Sequence, residues 1–112
     1  MELTREKQGD VTIVTVLGEH LDAGNTKDFK QDVAGTVEPN AKVVLDLHQV
    51  EFVDSSGCGA ILSYLRQLKS AGGDLKLCAV TKPVRSLFEL VRMHRVFDIF
   101  NTREEAVKAF QT

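Results

Sequence analysis

The chain has 112 residues, of which 43% are hydrophobic and 27% charged, and its formal net charge is −2. This composition is close to the globular average and predicts a single domain, residues 1–112, rather than a long disordered chain, a collagen-like rod or a coiled coil. Net acidity argues against nucleic-acid binding, and the absence of a ~20-residue apolar span and of a secretory signal predicts a cytoplasmic protein that does not bind membranes.

The first elements are predicted to be two strands. Residues 3–7 are expected to form an edge strand. Residues 11–17 include six β-branched side chains and end at Gly18, a pattern that predicts a strand followed by a turn.

The next segment predicts a helix followed by a buried strand. The helix begins at Asn25 or Thr26, either of which can cap it, and ends near residues 38–40. Its apolar residues recur at helical spacing: Phe29, Val33 and Val37. Residues 42–47 are almost continuously apolar, which is typical of a strand covered on both faces, so we expect this strand at the centre of a sheet.

A second helix is predicted to begin within residues 54–57 and to end at residues 71–73, where two glycines follow Ala71. Its apolar stripe consists of Cys58, Ile61, Leu62, Leu65 and Leu68. Residues 74–80 alternate between apolar and other side chains and predict a further strand.

Two more helices complete the pattern. Thr81 is expected to cap the third, which has Pro83 in its first turn and an apolar face made of Val84, Leu87, Phe88 and Val91. A short apolar stretch at residues 96–100 predicts the last strand. Thr102 and Glu105 then form a capping box for a fourth helix, which holds Ala106, Ala109 and Phe110.

This order of elements predicts the α/β class. Strands separated by helices imply right-handed crossovers, hence a mixed, mainly parallel sheet of about four to five strands packed with about four helices. Functional loops of such sheets lie beyond the carboxyl ends of the strands. The loop after Leu47 is therefore the first place to look for a site.

The start of the second helix is the strongest candidate site. Asp54, Ser55, Ser56 and Gly57 stand where backbone N–H groups lack helical partners and the helix dipole is positive, so a phosphate would be stabilised there. Ordinary helix capping is the alternative interpretation. Gly57 and Gly59 weaken it, because each glycine costs about 1 kcal/mol relative to alanine in a helix, which indicates a close backbone approach.

The motif around this site resembles that of a known family. Residues 43–47 (Val-Val-Leu-Asp-Leu) and 50–62, which contain Asp-Ser-Ser-Gly, are similar to the core motif of STAS-domain anti-sigma factor antagonists. Residues 17–23 resemble an earlier block of the family, and residues 71–77 a later helix-to-strand junction. The resemblance covers residues 9–110 and implies a single STAS-like domain.

The resemblance implies roles for individual residues. Ser55 corresponds to the serine that a partner kinase phosphorylates, and Asp54 to the carboxylate beside it. Ser56 and Gly57 match the motif and would shape the partner-binding surface, to which Asp22 in the earlier block also contributes. Two departures are a cysteine at position 58, where the family often has an aliphatic residue, and a turn at residues 18–22 that is one residue longer than usual.

The function implied is that of a non-enzymatic regulator. Its unphosphorylated form would bind an anti-sigma factor serine kinase and thereby release a sigma factor, and phosphorylation of Ser55 would switch binding off. The kinase would bind the ATP; a phosphatase would reset the site, and the chain itself would be a monomer without cofactor or metal. The alternatives are an unphosphorylated STAS subunit of a larger regulatory or transport complex, and an enzyme with Ser55 or Cys58 as nucleophile, for which the sequence supplies no partner base.

Two further features have an ordinary interpretation and a sharper alternative. Cys58 lies in the apolar stripe and is expected to pack in the core, with a redox-sensing thiol as the alternative. The basic residues of the third helix region are typical of a solvated face, with contact to an acidic partner as the alternative; they are Lys82, Arg85, Arg92 and Arg95. The charge is also divided unevenly along the chain, since residues 1–56 carry −6 and residues 57–112 carry +4.

Overall fold

The strands of the protein follow the predicted order, with two short additions. In the computed structural model, which describes residues 2–111, the strands are β1 (Leu3–Gln8), β2 (Val11–Val16), β3 (His20–Leu21), β4 (Lys42–Asp46), β5 (Phe52–Val53), β6 (Asp74–Cys78) and β7 (Ile99–Phe100). The helices are α1 (Thr26–Thr36), α2 (Ser55–Ser70), α3 (Lys82–Leu90) and α4 (Arg103–Gln111), with a 3-10 turn at Met93–Arg95.

Five of these strands form one sheet in the order β1-β2-β4-β6-β7. β1 runs antiparallel to β2, and the other three pairs are parallel. The predicted α/β class, with a mixed and mainly parallel sheet and four helices, is confirmed. Because β2, β4 and β6 are parallel, the loops that follow them lie at the same edge of the sheet.

The sheet is covered on both faces, and β4 lies at its centre. On one face the large core includes Val43 and Leu45 of β4 packed against residues of α1, α2 and α3. On the other, a smaller core joins Val44 to α4, with Val11, Ile13 and Cys78 from the sheet and Ala106 and Val107 from the helix. Residues 42–47 are therefore apolar because successive side chains enter two different cores.

The structure differs from the sequence prediction in four local features. The chain forms a second, two-stranded sheet in which β3 runs parallel to β5, pairing His20 with Phe52. α1 ends at Thr36, before the predicted end. The last strand, β7, covers only Ile99–Phe100 of the predicted stretch 96–100 and is preceded by a 3-10 turn at Met93–Arg95. Val91 is 49% exposed rather than part of a buried face, because α3 stops at Leu90 and Arg92 adopts a left-handed conformation with φ of 63°.

The predicted caps use their side chains in different ways. Thr102 accepts the N–H of Glu105 at 3.1 Å, as in a capping box, while its hydroxyl donates to the Glu105 carboxylate at 3.2 Å. Thr81 makes no side-chain cap to α3; its hydroxyl donates instead to the carbonyl of Val50 at 2.6 Å. This bond fixes the start of α3 beside the loop that leads into β5. Within residues 2–111, no helix combines the length and apolar character required to cross a bilayer.

Candidate functional site at the start of α2

The N-terminus of α2 is held by Asp54. This residue has an extended backbone and precedes the first helical residue, Ser55, and its Oδ1 accepts the N–H of Gly57 at 2.9 Å. The carboxylate thus satisfies one of the N–H groups that the helix leaves unpaired and sits at the positive end of the dipole. The hydrogen bond from the Gly57 N–H lowers the pKa of Asp54 and, with the smaller contribution of the Ala23 N–H, outweighs the opposing effect of burial, so the group is ionised at neutral pH.

Asp54 also joins the helix start to a second segment of chain. Its Oδ2 accepts the N–H of Ala23 at 3.1 Å, and its own N–H reaches the carbonyl of Leu21 at 3.4 Å. The loop between β3 and α1 is therefore placed directly beside the start of α2. In this way the structure brings Asp22 into the neighbourhood of Asp54, although 31 residues separate Ala23 from Asp54.

Asp22 organises the loop that contains it. Its Oδ1 accepts the N–H of Gly24 at 2.9 Å, and its Oδ2 lies 3.0 Å from Nδ1 of His20. Asn25 completes the turn by accepting the Asp22 N–H and donating to the His20 carbonyl, both at 2.9 Å. The Asn25 side chain is therefore committed to this turn and does not cap α1.

Gly57 marks the point where the two segments touch. A Cβ at this position would lie 2.7 Å from Cγ1 of Val53 and closer still to the carbonyl oxygen of Leu21. This is the close backbone approach that the glycines of the motif predict, and only Gly57 requires it. A Cβ on Gly59 would meet nothing within 4 Å.

Ser55 and Ser56 are both exposed at this helix end. Within residues 2–111, the Ser55 hydroxyl forms no hydrogen bond to another side chain or to the backbone. An accessible hydroxyl beside backbone N–H groups can accept a phosphoryl group brought by another protein.

The environment of Cys58 fits packing in the core better than redox sensing. Its side chain is half-buried against the main core. Burial, reinforced by the negative charge of Asp54, raises the pKa of the Cys58 thiol. Since the thiolate is the reactive form, this environment disfavours a redox sensor.

The comparison with protein families decides which family this motif represents. A model of the STAS domain matches residues 2–106, nearly the whole chain. The chain belongs to the STAS domain family. The resemblance seen in the sequence is thereby confirmed.

Two relatives match this chain over almost its whole length. This STAS chain is 31% identical over 113 residues to BtrV of Bordetella bronchiseptica, which is named as an anti-sigma factor antagonist; the match covers 100% of this chain and 97% of BtrV. It is 26% identical over 109 residues to the anti-sigma F factor antagonist of Paenibacillus polymyxa, covering 96% and 92% of the two chains.

Solved structures show the same fold. A Thermotoga maritima protein named as an anti-sigma factor antagonist superposes with a TM-score of 0.86 at 25% identity, covering 98% of this chain and 95% of the other.

One feature that the sequence did not predict is a charged cluster at the opposite face of the sheet. Arg103 of α4 donates to Oδ2 of Asp46 at 2.7 and 3.2 Å and also contacts Glu6 and Thr15. His48 lies 2.8 Å from the other Asp46 oxygen. Burial raises the pKa of Asp46, but the hydrogen bonds from the His48 backbone, Arg103 and the His48 ring together bring it below its ordinary value.

This cluster holds α4 against the sheet and is not part of the Ser55 site. The only signal for it in the sequence is an acidic residue, Asp46, within an apolar run. A buried carboxylate requires a partner, but nothing in the local pattern identifies Arg103, which lies 57 residues away.

A second unpredicted feature is Phe52, which is 55% exposed on the short strand just before Asp54. Glu51 and Phe52 both donate their N–H groups to the carbonyl of Glu19, at 2.7 and 3.1 Å. An exposed phenyl ring thus stands beside the site on a strand fixed by backbone hydrogen bonds.

Proposed function

We propose that this STAS protein is an anti-sigma factor antagonist whose unphosphorylated form binds an anti-sigma factor serine kinase, and that phosphorylation of Ser55 ends this binding. The observation that carries the proposal is the exposed Ser55 hydroxyl at a helix start that Asp54 caps and that packs closely against Leu21 at Gly57. The names of the relatives support the antagonist role. The anti-sigma factor antagonist SpoIIAA has been solved in its unphosphorylated form, with a TM-score of 0.78 to this chain, and the Bacillus protein SpoIIAA in its phosphorylated form, with a TM-score of 0.70, both at 20% identity.

The partner surface in this proposal consists of the residues that the Asp54 bonds bring together: Asp22, Asp54, Ser55, Ser56 and Gly57. The kinase supplies ATP, because this sequence lacks a Gly-x-x-x-x-Gly-Lys phosphate loop. A phosphatase would return the protein to its binding form. Ser55 is a substrate residue here, not a catalytic one.

Electrostatics explain why a phosphate would change binding more than folding. A phosphate adds about −1.5 to −2 charges next to Asp54, whose pKa is already lowered. In the free protein, solvent and the N-terminus of α2 stabilise this charge. In a complex built over a neutral hydroxyl, its desolvation costs several kcal/mol, and about 4 kcal/mol corresponds to a thousandfold loss of affinity.

The site of modification is tested by intact mass spectrometry after incubation with the kinase and ATP. We expect one added phosphate on the wild type and on Ser56→Ala, and none on Ser55→Ala. Ser56→Ala is the matched control because both serines are exposed at the same helix start. A phosphate that persists in Ser55→Ala and maps to Ser56 would show that the acceptor is assigned to the wrong residue.

The switch itself is tested with Ser55→Asp. Its melting temperature is expected to stay close to that of the wild type, while its affinity for the kinase falls strongly in isothermal titration calorimetry. A sharp loss of thermal stability with unchanged affinity would refute the switch. Equal affinity of wild type, Ser55→Ala and Ser55→Asp, without phosphorylation, would instead favour an unmodified STAS subunit of a larger complex.

A further inference from the structure

Residues 82–96, here called the α3 surface, combine α3 with the 3-10 turn that follows it. Four large hydrophobic side chains stand out as exposed within residues 2–111, and three of them belong to this surface. Leu90 is 80% exposed, Val91 49% and Val96 54%. Clusters of apolar side chains rimmed by polar groups are typical of interaction sites, whereas isolated ones are ordinary.

The exposed side chains of the α3 surface are held in place by buried neighbours. Met93 and Phe97 are only 6% and 4% exposed and belong to the main core. The N–H groups of Val96 and Phe97 both donate to the carbonyl of Met93 at 3.0 Å. The left-handed conformation of Arg92 redirects the chain between α3 and the turn. The apolar groups are thus displayed by an anchored backbone, which lowers the entropy lost when a partner binds them.

The charges of the α3 surface define the chemistry of its partner. Four cations stand against one acidic residue, Glu89, which gives this surface a net charge of +3 in a chain of −2. Within residues 2–111, no carboxylate lies within 4.0 Å of any of these cations: Lys82, Arg85, Arg92 and Arg95. A complementary partner is therefore acidic and carries apolar side chains of its own.

The α3 surface begins near the Ser55 site and extends away from it. The start of α3 is fixed to the loop before β5 by the Thr81–Val50 hydrogen bond, and β5 carries the exposed Phe52 just ahead of Ser55. A nine-residue helix is only about 14 Å long. A standard interface covers about 800 Å² on each partner, so one protein can reach both regions.

We infer that the α3 surface is a second docking site for the protein that engages Ser55, and that it receives an acidic segment with apolar side chains. This inference rests on the proposed function and specifies its partner. A lipid surface fits less well, because the apolar part holds three aliphatic side chains and no aromatic anchor, and a net charge of +3 attracts anionic lipid by only about 1 kcal/mol per cation.

The test measures binding of the Ser55 kinase to charge-reversed variants. Arg92→Glu/Arg95→Glu is expected to weaken binding at least tenfold and to make the remaining affinity less sensitive to salt. Leu90→Ser/Val96→Ser is expected to weaken it by a similar factor. The matched control is Arg66→Glu/Lys69→Glu, which makes the same change of charge at two exposed positions of α2 and should bind like the wild type. Thermal unfolding confirms that each variant is folded.

A kinetic readout distinguishes docking from a role in phosphoryl transfer. Reversal of the two arginines should raise the KM for phosphorylation of Ser55 and leave kcat unchanged. If Ser55→Asp abolishes binding but the α3 variants bind like the control, this inference is overturned and the proposed function stands. If neither Ser55→Asp nor the α3 variants change the affinity for the kinase, this inference and the proposed function are both overturned.

Two other occupants would also overturn the inference. Sedimentation velocity that shows a wild-type dimer, dissociated by Arg92→Glu/Arg95→Glu, would assign the α3 surface to a second copy of the chain. Cosedimentation with vesicles of phosphatidylglycerol and phosphatidylcholine, lost in the same variant, would assign it to a membrane.

Discussion

The contact at Gly57 provides a sharp test of how the candidate site is built. In Gly57→Ala, the added methyl group would lie 2.7 Å from Cγ1 of Val53 and closer still to the backbone carbonyl of Leu21. A carbonyl fixed in the main chain cannot rotate away, so α2 or the β3 strand must shift. Overpacking costs about 1–3 kcal/mol, and a clash with fixed backbone belongs at the upper end of that range. After the helix-propensity gain of roughly 1 kcal/mol, we therefore expect a net destabilisation of about 2 kcal/mol.

Gly59→Ala is the matched control, because it makes the same chemical change two residues later in the same helix. Its methyl group meets nothing within 4 Å, so only the propensity gain of up to about 1 kcal/mol applies. The two variants should therefore differ by about 3 kcal/mol, or roughly 13 °C in melting temperature for a domain of this size. Urea and thermal unfolding measure the difference. Equal stabilities, or a stabilised Gly57→Ala, would refute the role assigned to Gly57.

Three further predictions concern buried groups. Tyr64→Phe should raise the free energy of unfolding by about 1 kcal/mol, because the Tyr64 hydroxyl is buried and has no hydrogen-bond partner within residues 2–111; a loss of stability in urea unfolding would contradict this. Arg103→Met should cost about 3 kcal/mol at pH 7, because it removes the arginine partner of the buried Asp46 carboxylate and leaves only the His48 contacts. Because the folded pKa of Asp46 is lowered, the pair stabilises the wild type above about pH 4, so the gap to the variant should narrow in acid, and a gap independent of pH would argue against the pair. The Cys58 thiol, whose pKa is raised, should react with iodoacetamide at pH 8 more slowly than glutathione does, and faster alkylation would restore the redox alternative.

The start of α2 was predictable because its signals are local. Asp54 caps a helix whose next residues are serine and glycine, and the cap bond spans only three positions of the chain. The same holds for the central strand, where a continuous apolar run predicts burial on both faces. Such patterns depend on neighbours in sequence, so the sequence alone contains them.

What the sequence did not predict depends on contacts between distant segments. β3 and β5 have two residues each, too few to display an alternating pattern. The link between Asp54 and Ala23, which brings Asp22 to the site, spans 31 residues. For Val91, helical periodicity predicted burial, but the left-handed Arg92 ends the helix there and leaves the side chain half exposed. The assignment of Ser55 as phosphoacceptor and of Asp22 as a partner contact stays a prediction.

The packing of α4 also affects how the domain is assembled during synthesis. Among the described helices, only α4 contributes to the smaller core. Val11, Ile13 and Val44 therefore stay uncovered until α4, about 90 residues after Val11, has been synthesised. Until then, one face of a nearly complete sheet is apolar and uncovered, a state that favours aggregation. Contacts of such long sequence separation also slow folding. The bonds from Arg103 to Asp46 and Thr15 can therefore form only after α4 has been synthesised, and they hold the last helix over the face that was exposed until then.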